Sequence, residues 1–61
     1  MKLLVHNLLN DSTETLEGVP EVVEQKLRAR FRHQARQVPE PDLQGLVDLI
    51  NRMSTISVQQ E

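Results

Sequence analysis

Pro39 and Pro41, two prolines in the stretch Val38-Pro39-Glu40-Pro41-Asp42, constrain this chain more than any other feature. Each proline fixes its own φ, removes an amide donor and pushes the preceding residue out of the helical region. A helix does not run through such a stretch, so it must be a sharp connector between separate elements. Before it, Pro20 suits a first helical position, where its missing N–H leaves nothing unpaired. Val23, Leu27 and Phe31 then step by four residues, and Gln34, Ala35 and Val38 continue near the same face. The spacing predicts a helix over 20–37.

After the connector, Leu43, Leu46, Ile50 and Met53 repeat at alternating steps of three and four, widened by Val47 and Leu49. That is the seam of helices packing side by side. It predicts a second helix over 42–53, with Pro41 placed to begin it. Gly45 inside this helix costs about 1 kcal/mol relative to alanine, which predicts a close approach by a neighbouring helix there.

Charge is lopsided along the first helix. Glu21 and Glu24 open it; Lys26, Arg28, Arg30, Arg32, His33 and Arg36 follow, with no acidic residue until Glu40. Acid at the start and base at the end is what a helix macrodipole favours. The same layout gathers most of the positive charge of a chain with formal net charge −2 into one patch. Arg28, Arg32 and Arg36 form a stripe along it, with Lys26, Arg30 and His33 on the other flank.

The two ends are ambiguous. Met1, Leu4, Val5 and Leu8 keep helical spacing, yet Leu3-Leu4-Val5 would also suit an edge strand. Asn10-Asp11-Ser12-Thr13 is a turn cluster. Asp11 with Glu14 resembles a capping box that would open one helical turn through Glu17, closed by Gly18; a mobile linker is the alternative. Ile56 and Val58 alternate with polar residues, which reads as a short strand or a tail. The apolar opening is interrupted by His6 and Asn7 with no cleavage site after them, and no run approaches the roughly 20 apolar residues of a membrane span. A soluble, intracellular, cytoplasmic chain is expected, with no membrane partner.

These readings predict a mainly α fold in one small helical domain over 1–61. It is a helical hairpin, two main helices joined by a Pro-Glu-Pro connector (38–41), with the amino-terminal segment (1–18) docked on it. Short terminal strands are an alternative for the ends, including the tail 54–61. A chain this short buries only about 60% of the surface its unfolded form exposes. Cysteine is absent, which excludes disulfides and thiolate metal sites, and His6 and His33 lie in unrelated segments. No metal or cofactor is expected. The second helix presents more apolar surface than Val23, Leu27 and Phe31 can cover. Leu3, Leu4, Leu8 and Leu9 could make up the difference, or a second hairpin could, giving an oligomer with four packed helices.

The function classes narrow in the same way. Nothing places a nucleophile beside a base, and Gly18 and Gly45 alone do not make a phosphate-cradling loop. A small non-enzymatic protein–protein interaction module is expected: an adaptor, assembly factor or stoichiometric inhibitor. Its candidate surfaces are the apolar face of Leu43, Leu46, Val47, Ile50 and Met53 and the basic stripe of Arg28, Arg32 and Arg36. Its partner would be another protein or a second copy, as a homodimer. The alternative is a small nucleic-acid-binding regulator using the same arginines. The acidic balance of the chain and the placing of Phe31 in the core stripe count against it.

Met1-Lys2-Leu3-Leu4, His6-Asn7 and Leu9 resemble the opening of a eukaryotic family of small zinc-binding methyltransferase activators. The likeness covers about nine residues of 61 and implies an extended opening segment. The family's zinc ligands are cysteines, so no zinc site carries over to this chain.

Overall fold

The ends of the chain, not its middle, build the frame on which the helices sit. The computed structural model describes residues 1–61. In chain order the elements are strands β1 (Lys2–Asn7) and β2 (Ser12–Glu17), helices α1 (Pro20–Arg30), α2 (Arg32–Gln37) and α3 (Leu43–Asn51), and strand β3 (Ile56–Gln60). The strands form one antiparallel sheet in the order β2-β1-β3. The fold is therefore a mixed α/β layer of three helices on a three-stranded sheet, which corrects the expectation of a mainly α helical hairpin with docked ends.

Burial explains the correction. As a central strand, β1 sends Leu3 and Val5 to one face, where Leu16 of β2 and Val58 of β3 join them. A helix over 1–9 would satisfy its own backbone but leave β2 and β3 without the strand that joins them. The strand instead gains hydrogen bonds on both sides. Asp11 and Glu14 cap no helix. Asp11 sits at φ 54 in the β1–β2 turn, and Glu14 lies within β2 opposite Val5. Asn7 and Asn10 shape that turn by accepting from the N–H groups of Leu9 and Ser12. The tail becomes β3, its Val58 opposite Val5 in the middle of the sheet.

The helix predicted over 20–37 starts at Pro20 but breaks at Phe31, whose φ of −124° and ψ of 66° leave the helical region. The break matches the sheet's size. An eleven-residue helix is about 16 Å long and a six-residue strand about 20 Å, so a straight continuation would run past the layer it packs on. Turning at Phe31 keeps Phe31 and Val38 against the core and aims the chain at α3. Pro41 does not begin α3. Asp42 is the cap, its Oδ1 accepting from the Gly45 N–H at 2.9 Å. A Cβ on Gly45 would collide with Asp42 Oδ2, so the close approach there is the cap carboxylate, not a neighbouring helix.

The core lies between the sheet and the pair α1 and α3: Val23 and Leu27 from α1, and Leu46, Val47 and Ile50 from α3, pack on Leu3, Val5, Leu16 and Val58. Leu43, Met53 and Ile56 close its rim. The radius of gyration is 10.6 Å, against about 10.5 Å expected for a compact domain of this length. No helix is long and apolar enough to cross a membrane.

Candidate functional site

The hydrogen-bond parity of the sheet decides which backbone groups remain available. Met1 N donates to Gly18 O and Gly18 N to Met1 O, so these two residues form a reciprocal pair. In an antiparallel ladder such pairs alternate with pairs that exchange no bonds. With the observed register, Leu16, Glu14 and Ser12 turn their backbone groups toward β1. Thr13, Thr15 and Glu17 turn theirs outward. On the other side, Glu61 N donates to Lys2 O and Leu8 N to Thr55 O, so Ile56, Val58 and Gln60 face outward from β3.

The two edges are treated differently. On β3, the Asn51 carboxamide takes both groups of Val58: Val58 N donates to Oδ1 at 2.7 Å and Nδ2 donates to Val58 O at 3.0 Å. A side chain thus stands where a fourth strand would pair. On β2, only the Glu17 carbonyl is engaged, by Lys26 Nζ at 3.3 Å. The N–H and C=O groups of Thr13 and Thr15 meet no protein partner. An unpaired strand edge of this kind is a template for another extended chain.

Helix α1 overhangs that edge. Val22, Lys26 and Arg30 follow at four-residue steps along one flank. Lys26 reaches the outward carbonyl of Glu17, and Arg30 forms an ion pair with Glu14. Val22 continues the flank toward Gly18, whose φ of +144° turns the chain from β2 into α1; a Cβ there would meet Val22 at 3.3 Å. Val19 and Val22 stay exposed, at 58% and 39%. The open edge is therefore bordered by two exposed valines and one ammonium group with no carboxylate partner.

The expected surfaces are placed elsewhere. Leu46, Val47 and Ile50 are 0%, 9% and 0% exposed inside the core, and Leu43 and Met53 pack at its rim. The chain's own sheet covers this seam, so these residues have little surface left for a partner. Arg28 is drawn inward. Its Nε donates to Glu24 Oε2 at 2.9 Å, Nη1 to the carbonyls of Ala35 and Val38 at 3.1 and 2.7 Å, and Nη2 to Glu40 O at 2.9 Å. It serves as a clamp for the last carbonyls of α2 and for the connector, groups a helix end leaves without partners. Arg32 and Arg36 remain exposed on α2 with no ion pair, beside exposed His33. The stripe expected from the sequence is thus split at Phe31 into one clamp and two free cations.

The far face of the sheet carries no helix. Leu4, His6, Thr13, Ser57 and Gln59 line a shallow cavity of about 140 Å³ there. His6 Nε2 meets Asp11 Oδ1 at 2.9 Å beside it, and both side chains are exposed. Lys2 bridges the two outer strands, 3.7 Å from Glu17 and 3.2 Å from Glu61. These carboxylates, Glu61 foremost, raise the Lys2 pKa above its ordinary 10.5.

Sequence reasoning missed the β2 edge because Ser12–Glu17 has one buried apolar residue, Leu16, and so lacks the alternation that marks a strand. The signal available was its two β-branched threonines at alternate positions. Compared with known protein families, characterised proteins and solved structures, the chain matches none.

Proposed function

We propose that this protein is a small non-enzymatic protein-interaction module that docks a partner protein along the β2 edge by strand addition. The observation that carries the reading is the contrast between the edges, one closed by Asn51 and the other left with Thr13 and Thr15 unpaired. Main-chain hydrogen bonds supply affinity in this mode, and side chains bordering the edge supply selectivity. Such a module would work as an adaptor, an assembly factor or a stoichiometric inhibitor.

The test uses Thr15→Pro. The Thr15 N–H points away from β1, so its loss removes a docking donor without removing a ladder bond. Partner proteins recovered with the tagged wild-type chain should be lost with Thr15→Pro, and cross-links in the wild-type complex should map to Ser12–Lys26. Recovery of the same set by the proline variant, with cross-links elsewhere, overturns the reading.

A second reading rests on Arg32 and Arg36, the α2 cations that the fold leaves unpaired. They would favour phosphate contact, with binding that weakens steeply as salt rises. Arg32→Ala with Arg36→Ala should then abolish retardation of a duplex or single-stranded probe at low salt. Retention of binding by the double variant counts against it.

A further inference from the structure

From the overhang of α1 we infer that the β2 edge accepts a bare extended peptide segment, apolar and acidic on alternate helix-facing positions, and excludes a second copy of this chain. The inference rests on the docking reading above and names the occupant.

Exclusion of a copy follows from distances. Antiparallel pairing of β2 with its counterpart requires a two-fold axis normal to the sheet, which puts both α1 helices on the same face. Helix α1 packs on β2 itself, the edge strand, while α3 packs on β3. Paired strands lie about 4.8 Å apart, whereas packed helices need about 8–10 Å between axes. Two helices each seated over its own edge strand would overlap. A single extended segment carries no helix, so it fits beneath the flank.

The flank then selects its side chains. An incoming strand turns alternate residues toward α1. Those near Gly18 meet Val19 and Val22, exposed apolar groups that gain from burial. The next helix-facing position lies beside Lys26, whose only hydrogen bond is to the Glu17 carbonyl at 3.3 Å. A carboxylate there pairs with it. Arg30 is already neutralised by Glu14 and attracts the segment less. On the opposite face the neighbours are Thr13 and Thr15, which suit threonine across the strand pair.

The probe is the acetylated and amidated peptide Thr-Val-Thr-Glu-Thr-Val, titrated into the isotope-labelled chain and followed by amide resonances. Shifts are expected at Thr13, Thr15, Glu17, Val22 and Lys26, and none with Thr15→Pro. Lys26→Glu should weaken binding roughly two- to fivefold, the range of an exposed ion pair, and a peptide with Lys in place of Glu should recover it. Shifts elsewhere, or affinity indifferent to the charge swap, overturn the inference. So does sedimentation of the purified chain at twice its 7.0 kDa mass with Thr13 and Thr15 protected from exchange. Those results leave the docking reading standing wherever a protein partner is still lost with Thr15→Pro; loss of that dependence removes both.

Discussion

The two edges of the sheet differ by one side chain. At β3, helix α3 ends where Asn51 can reach past the strand and satisfy both groups of Val58. At β2, the covering helix offers Lys26, which reaches one carbonyl and leaves Thr13 and Thr15 as they are. Both strands are short and rich in β-branched residues, so strand propensity does not separate them. What separates them is whether the helix above carries a group with a donor and an acceptor at strand spacing. A carboxamide has both; an ammonium has donors alone.

The sharpest way to break the comparison is a proline pair on β2. Glu14→Pro removes an amide that bonds to β1 and should cost about 3 kcal/mol, whereas Thr15→Pro should cost less than about 1 kcal/mol. Urea denaturation of both reads the difference; equal losses would mean that the parity assigned to β2 is wrong. Next in size is Arg28→Ala, which loosens the corner between α1 and α2 and leaves Asn51 untouched. With its partner Glu24 partly buried, the change should cost about 2 kcal/mol. Amide exchange should quicken along α2 while Val58 keeps its protection, and a uniform rise across the sheet would contradict a local clamp.

Asn51→Leu makes the closed edge resemble the open one. The loss should be about 1–2 kcal/mol, accompanied by faster exchange of the Val58 amide, which loses its carboxamide acceptor. Urea denaturation with amide exchange checks this, and a Val58 amide that keeps its protection would show that Asn51 does not guard the edge. The smallest effect is that of Lys2, which ties β2 and the end of β3 to the central strand. Its pKa is raised in the fold, so its contribution is present below the ordinary value of 10.5 and fades as pH climbs through the raised one. The melting temperatures of wild type and Lys2→Gln should converge over that interval. A gap that persists well above it assigns the effect to packing.

Much of the helical layer was legible and most of the sheet was not. Val23, Leu27, Leu46, Val47 and Ile50 repeat at helical spacing, and all five face the core. Pro20 does begin α1. The break at Phe31 was hidden because nothing in Arg30-Phe31-Arg32 opposes a helix locally; the extent of the sheet beneath it sets the turn. The candidate edge was hidden further still. Thr15 is available only because of the register with β1, and Val58 is closed only because Asn51 lies beside it.

By itself the sequence determined where helices can and cannot run, through proline geometry and the spacing of apolar side chains, both properties of neighbours along the chain. Only the tertiary structure decided that the two ends become strands, that the apolar seam is spent on the protein's own sheet, and which edge stays open. The physical reason is that a strand's hydrogen bonds are made to residues far away in the chain. Leu3, Leu16 and Gln60 become neighbours only once the sheet has formed.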